Sequence, residues 1–448
     1  MKPGKVLWLA GLILLTATTL RAQSTPAPTL TLRQCVETAL QNNMDARKAE
    51  LDRQRAEVNL RGAKGQMLPY VSGSVEHTLY QGRSIDLYTN SYTNQSNKTA
   101  SYYLGGDMTI FNGFRLFNNL RSNQYLLEAG VAMQQQTRDQ LTLDVILAYL
   151  AVLSNTDLLK IQEAQVAVTS KQVERLEVLN REGAIKPSDF YDMKGQLAGE
   201  KVSYINTLNS LNDARLRLSQ LMNMPYREDL QVERLPTEAF EMGYNTGPDS
   251  IYQAALVQLA LVKTADLLQK SAVKDLKSAR GSLFPTVGIG GGINTNFSGA
   301  ALDSAEAKIP YYDQLSNNYS TNVGFVVRIP LLNGFNARNQ VARARINLKQ
   351  TEFESENVRI QLQQSVERDH LNMRATLNRY QVLVEQVASY QENFRAAEVR
   401  FNAGASNSVD YLIAKNKLDN ANSSLVIARY EYAIRTRILD YYQGKLMW

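Results

Sequence analysis

Residues that usually carry chemistry are scarce in this chain. Its 448 residues include two histidines and one cysteine. His77 and His370 lie far apart, and neither has a second histidine or a cysteine at metal-ligand spacing. No nucleophile, base and orienting group can be assembled from such a set, so the sequence predicts no catalytic residue, no metal and no cofactor. Cys35 cannot make an internal disulfide and reads as a small core residue of the first helix. No apolar stretch and small residue lead directly into it, as a lipidation signal would require. The run Val287-Gly288-Ile289-Gly290-Gly291-Gly292 invites a phosphate-loop reading. It follows Pro285 as a strand would, Ile293 occupies the final glycine place, and no helix opens after it, so it reads as strand glycine that permits close packing or bending.

The remaining signal is acidic and occurs twice. Asp189 follows Gly183 at the same distance as Asp410 follows Gly404. A glycine supplies the left-handed residue where long helices reverse, and Ser188, Asp189, Ser408 or Asp410 would cap the returning helix.

These residues belong to a duplicated chain. Asn112-Gly113-Phe114 is answered by Asn333-Gly334-Phe335 at an offset of 221, which also relates Gly183, Asp189, Phe190 and Leu197 to Gly404, Asp410, Tyr411 and Leu418. Upstream, Ala49, Ala56, Leu60, Ala63 and Pro69 are answered by Ala265, Ala272, Leu276, Ala279 and Pro285 at an offset of 216. The expected organisation is a signal peptide at 1–22, a first structural repeat at 29–225, an insert at 226–248 and a second repeat at 249–446. The signal reading rests on Lys2 and Lys5, the apolar run from Val6 to Leu15, and Leu20-Arg21-Ala22 as cleavage site. Removing that segment lowers the formal charge from +6 to +3, too mild to argue for a nucleic-acid partner. No later run is uniformly apolar over the length of a membrane helix, so no helix is expected to cross a bilayer.

Proline-free stretches mark where long helices can form, since an interior proline costs a helix about 3 kcal/mol. In the first, a 3-4 spacing runs from Leu141, Val145, Ala148 and Val152 to Val173 and Leu176; in the second it runs from Leu362, Val366, Asp369 and Met373 to Ala397 and Phe401. Such heptads predict coiled-coil packing in helices of about 100 Å. The helix before each proline has a seam of small residues, from Ala39 to Ala63 in the first copy, which lets neighbouring helices approach closely. Between proline and Asn-Gly-Phe the period changes to two, predicting hairpins at about 69–111 and 285–332 with one apolar and one polar or glycine face. Their connections, about 81–100 and 297–318, are rich in Asn, Ser and Tyr, as exposed loops would be, and Tyr102, Tyr103, Tyr311, Tyr312 and Tyr319 are candidates for an interfacial girdle. Four such strands suit a bilayer but cannot close on themselves, because membrane barrels need at least about eight. A membrane location therefore demands neighbouring copies.

Over nearly the whole mature length the residues resemble the TolC family of outer-membrane efflux channels. The resemblance rests on Leu30-Thr31-Leu32 leading into Val36-Glu37-Thr38-Ala39-Leu40-Gln41-Asn42-Asn43, on the two Asn-Gly-Phe junctions, and on Arg400-Phe401-Asn402-Ala403-Gly404 followed by Val409-Asp410-Tyr411-Leu412. It implies an α+β membrane protein: a long α-helical coiled-coil barrel joined to a transmembrane β-barrel shared between subunits of a homotrimer, twelve strands in all, with a small mixed α/β equatorial region. It implies a passive exit duct in the outer-membrane lipid, reaching into the periplasm and engaged by a periplasmic adaptor and an inner-membrane pump for efflux or type I secretion. By the same resemblance Gly183, Ser188, Asp189, Phe401, Gly404, Ser406, Asp410 and Ile413 are candidates for the periplasmic gate. Asp410 matches the family's first ring-forming aspartate, and Ser188 with Asp189 matches the partner side of the closing contacts. This chain departs from the pattern at Phe401, where a tyrosine is usual, at Ser406, where an arginine is usual, and at Ile413, where a second aspartate is usual, which implies a partly apolar gate with a different latch. The rival reading, a non-conducting structural coiled-coil protein of the envelope, explains the heptads but not the paired proline-bounded hairpins.

Overall fold

The computed structural model describes residues 29–85, 90–93, 96–235 and 243–445. The expected signal peptide at 1–22 and the Pro236 part of the insert lie outside the described residues.

The first half of the chain consists of α1 (Leu32–Asn42), α2 (Met44–Gly65), β1 (Tyr70–Tyr80), β2 (Ser84–Ile85), β3 (Tyr92–Thr93), β4 (Asn97–Phe111), α3 (Arg115–Arg181) and α4 (Pro187–Leu221). The second half consists of α5 (Pro248–Gln258), α6 (Ala260–Gly281), β5 (Thr286–Ser298), α7 (Tyr311–Asn317), β6 (Ser320–Arg328), α8 (Asn336–Asn402) and α9 (Ser408–Tyr442). Corresponding helices have equal lengths: 11 residues in α1 and α5, 22 in α2 and α6, 67 in α3 and α8, and 35 in α4 and α9. A 67-residue helix spans about 100 Å.

The small-residue seam faces its neighbours, with Ala39, Ala46 and Ala63 buried. At Gly130 of α3 an added Cβ would lie 3.6 Å from the Ala56 Cβ, which measures how closely α2 and α3 approach. The seam is not one continuous helix. Asn43 leaves helical geometry (φ −64°, ψ 133°), its side chain accepts from the Asp45 and Ala46 amides, and its Nδ2 donates to the Leu221 carbonyl. Leu259 makes the matching break, with a 52° bend between α5 and α6.

The heptad positions form the core. Leu141, Val145, Ala148 and Val152 of α3 are buried against Cys35, Val36, Leu211, Leu218 and Tyr430. Burying each of the leucine and valine side chains contributes about 1.5–3 kcal/mol. One window of α3 is apolar enough for a membrane span by length and composition, but 56% of it is buried inside the fold, as in the core helix of a soluble protein. Leu362, Val366 and Met373 of α8 meet Ile251, Val262, Tyr432 and Leu439 in a second cluster. At the waist, Leu30 and Val232 form a parallel bridge, and the Tyr149 hydroxyl donates to the carbonyls of Leu30 and Glu233. Burial pushes that phenol well above its ordinary pKa.

Four strands make one antiparallel sheet in the order β1-β4-β5-β6, so the two halves join at β4 and β5. The register sorts the side chains: Val71, Leu104, Ile289, Val323 and Phe325 share one face, while Ser72, Asp107, Gly288 and Asn322 share the other. On the apolar face Val71 is 65% and Phe325 76% exposed. Within the chain, β1 and β6 each pair on one side only.

The second connection is more than the open loop expected at 297–318. It contains α7, whose buried Gln314 donates to the carbonyls of Ser298 (3.0 Å) and Ile309 (2.9 Å) and accepts from the Ser298 amide (2.9 Å), folding the segment onto β5. Of the girdle candidates, Tyr311 and Tyr312 therefore sit on a helix, and the Tyr311 hydroxyl meets that of Tyr102, which also bonds His77 Nε2 at 2.8 Å.

Candidate functional site at the helical tips

Each tip is built by the same local device. Gly183 has φ +70° and Gly404 has φ +71°, a region that favours glycine because it has no Cβ. Ala184 N donates to the Leu179 carbonyl at 2.8 Å, and Ala405 N donates to the Arg400 carbonyl at 2.9 Å, closing the last turns of α3 and α8.

The returning helices start differently from each other and from expectation. Pro187 opens α4 after Lys186, which provides no side-chain cap, so Ser188 and Asp189 lie inside the first turn. In α9 the cap is Asn407, whose Oδ1 accepts from the Asp410 amide at 2.9 Å. Asn407 thus takes the α9 cap expected of Ser408 or Asp410, α4 starts with no side-chain cap, and the Asp189 carboxylate is turned to the other tip. Asp189 Oδ1 accepts from the Ser408 hydroxyl (2.8 Å) and amide (3.4 Å), and that hydroxyl also reaches Asp192 Oδ2 at 3.1 Å. Two carboxylates of the first tip thereby hold the start of the second, favourably placed at a helix N-terminus.

An apolar plug stands behind this contact. Leu176, Phe190, Met193 and Tyr411 are buried together, with Phe394 and Phe401 packed against them. Phe401 stacks on Tyr411 with ring centroids 4.9 Å apart. Burial pushes the Tyr411 phenol up to about 12. Further from the tip, Lys415 is only 3% exposed and donates to Glu200 Oε1 (2.7 Å) and Asp419 Oδ2 (2.6 Å), beside a reciprocal Gln196–Asn416 amide pair. Burial holds the Asp419 carboxyl above the usual range, with Lys415 partly offsetting it.

The predicted site residues divide into three groups. Gly183 and Gly404 make the turns. Asp189 and Phe401 sit in the contact between tips, where Ser406 lies close by and donates only to the adjacent Asn407 carbonyl at 3.3 Å. Ser188, Asp410 and Ile413 are exposed, the last two on one outer face of α9. An open groove of about 1080 Å³ runs between the two turns, lined by both tip loops. Sequence reasoning missed Asn407 as a cap, although an Asn three residues before Asp410 was the visible signal. It also missed Asp192 and the Lys415 cluster, for which spacing offers no signal. Among the described residues no group of three or more His, Cys, Asp and Glu side chains could hold a metal ion.

The family model described as "Outer membrane efflux protein" matches residues 35–224 and again 251–444. The chain is similar to Outer membrane protein TolC of Salmonella enteritidis, 25% identical over 422 residues that cover 93% of this chain and 82% of that protein. In structure it resembles CusC, with a TM-score of 0.81 at 17% identity over 94% of this chain and 93% of that one. It also resembles VceC of Vibrio cholerae, with a TM-score of 0.79 at 16% identity over 92% and 96%.

Proposed function

We propose how this chain works from one premise: it belongs to the outer membrane efflux protein family, whose model matches both of its halves. It is an outer-membrane efflux channel with an α+β channel-tunnel fold. The finer reading is a homotrimer in which each chain gives four strands to one twelve-stranded barrel, and the helices continue it as a tunnel through the periplasm. The halves at 29–225 and 249–446 are its two structural repeats, 226–248 belongs to the equatorial belt, and 1–22 is the signal peptide.

One observation carries the trimer: an internal interface recurs, unpaired, on the two outer edges. Inside the chain α3 meets α6 through Tyr125, Ala129, Ala132 and Leu267, and Gly113 meets Gly281 so tightly that a Cβ on Gly113 would lie 2.4 Å from the Gly281 carbonyl oxygen. The offsets of 221 and 216 carry Tyr125, Ala132 and Gly113 to Ile346, Phe353 and Gly334, and Leu267 and Gly281 to Leu51 and Gly65. There Ile346 is 59%, Phe353 67% and Leu51 62% exposed, and nothing stands within 4 Å of a Cβ on Gly334 or Gly65. The edge of α8 with β6 is thus shaped to receive α2 with β1 of the next copy. Phe353→Asp should leave a folded chain that no longer forms a detergent-stable trimer or conducts in a planar bilayer. A trimer that survives this change would sink the reading, and a wild-type trimer that never conducts would favour a structural coiled-coil protein.

The tips are the gate of this duct. Three copies of Asp410 around the axis would favour cations and repel one another, with Ile413 adding an apolar ring. The link from Asp189 and Asp192 to Ser408 is the latch that replaces the arginine-based contact implied by the family resemblance. A periplasmic adaptor and an inner-membrane pump would open it, and cargo would then leave passively without chemical change. Asp410→Ala should raise conductance or weaken block by multivalent cations; unchanged values for both return Asp410 to the outside of the pore.

A further inference from the structure

The helical wall changes character where it meets the sheet. In the twelve helical residues nearest the sheet on each of α2, α3, α6 and α8, there are twelve lysines and arginines against two acidic residues, Glu57 and Asp275. In the twelve nearest the tips on each of α3, α4, α8 and α9, basic and acidic residues number eight and eight. The excess is therefore local to one end.

Its placement is specific as well. Phe111 pairs opposite Val287 on the apolar face of the sheet, and Phe114 packs edge-on against Phe111 with centroids 5.5 Å apart. One turn on, Phe117 is 45% exposed and carries the Arg121 guanidinium 5.4 Å above its ring. In the second half Phe335 is 61% exposed and carries Arg338 at 5.9 Å. Lys64 and Arg280 occupy the last turns of α2 and α6, just before exposed Leu68 and Phe284. Moving from sheet to wall, the surface passes from aliphatic to aromatic to cationic. Phe114, one turn before the Phe117 that carries Arg121, continues the apolar face of the sheet through Phe111, and an exposed apolar face of a membrane barrel belongs on the lipid side. An exposed arginine over a phenylalanine offers an apolar body to acyl chains and a forked donor to an anion.

We propose that this collar binds the phosphate headgroups of anionic phospholipids and so fixes the depth of the barrel in the leaflet that faces the helices. This rests on the channel reading above. A cation at an anionic lipid surface contributes about fivefold in affinity. The test is native mass spectrometry of the detergent-purified full chain titrated with phosphatidylglycerol or phosphatidylcholine, with bilayer conductance recorded on the same sample. Wild type should retain phosphatidylglycerol at least about tenfold better, and Arg121→Gln with Arg338→Gln should weaken that retention about fivefold per cation removed. The matched tip variant, Arg181→Gln with Arg400→Gln, should retain it as wild type does. A conducting trimer with no preference between the two lipids overturns the collar alone, as does equal loss in both variants. Ion selectivity that shifts in the collar variant while lipid retention stays put would place these cations in the lumen and overturn it too. Absence of any trimer or conductance sinks the channel reading together with the collar.

Discussion

The helices α3 and α8 are the same object placed in two environments. Both have 67 residues, both begin after a Phe with φ 60°, and both end in a left-handed glycine turn. Yet α3 lies between α2 and α6 while α8 has α6 on one side only, and the position that holds buried Ala132 in the first holds exposed Phe353 in the second. Gly113 is pressed against Gly281, whereas Gly334 faces open space. The duplicated chain repeats its backbone without repeating its neighbours, and the mismatch marks where another copy belongs.

Paired substitutions can break or sharpen this comparison. Ala132→Asp buries an unpaired carboxylate in the α3–α6 contact and should cost roughly 3–5 kcal/mol within the chain, read as loss of helical signal in denaturant titration at any protein concentration, whereas Phe353→Asp should abolish the trimer, keep the helical signal in the absence of denaturant, and lose only the concentration-dependent stability that assembly adds. Equal unfolding by both would erase the distinction between inner and outer interface. Next come Lys415 and its counterpart Lys194, which is exposed and lies 5.9 Å from the Phe190 ring. Lys415→Met strands Glu200 and Asp419 and should cost about 3–5 kcal/mol, against about 0.5 kcal/mol or less for Lys194→Met. Similar midpoints for the two would mean the buried cluster contributes little.

Smaller effects are expected at the glycines. A Cβ at Gly281 would lie 2.7 Å from the Gly113 carbonyl oxygen, so Gly281→Ala should cost about 1–3 kcal/mol in any state of the protein. Gly65→Ala meets nothing within the chain, and its cost should emerge only in trimer dissociation. Smallest is the acid response of Asp419. Because burial raises its pKa, protonation favours the folded state; the stability it contributes is complete below the ordinary carboxylate value and is lost as pH rises through the raised one. Melting temperature from pH 4 to 7 should therefore fall less steeply in Asp419→Asn, and a steeper fall would refute the assignment.

Much of this was legible beforehand, and the reasons are local. Left-handed turns at Gly183 and Gly404 follow from a residue type that alone tolerates them cheaply, and the seam from Leu141 to Leu176 follows from helical period. The alternation that sorts Val71, Leu104 and Phe325 onto one face follows from the pleat. Illegible features depend on partners remote in sequence. The break at Asn43 is tied to Leu221, the α7 fold-back to Ser298, and the tip contact from Asp189 to Ser408, more than two hundred residues away. Lys415 and Lys194 hold equivalent places in the repeat, yet only one is buried.

By itself, then, the amino-acid sequence determined the period of each segment, the joints between segments and the duplication, because these depend on side-chain spacing and on the limits of proline and glycine. Tertiary structure alone decided which of two equivalent positions is enclosed, which carboxylates cross from tip to tip, and which edges stay open. The physical reason is that burial and pairing are properties of neighbours, and two copies of one unit in a single chain cannot both have the same neighbours.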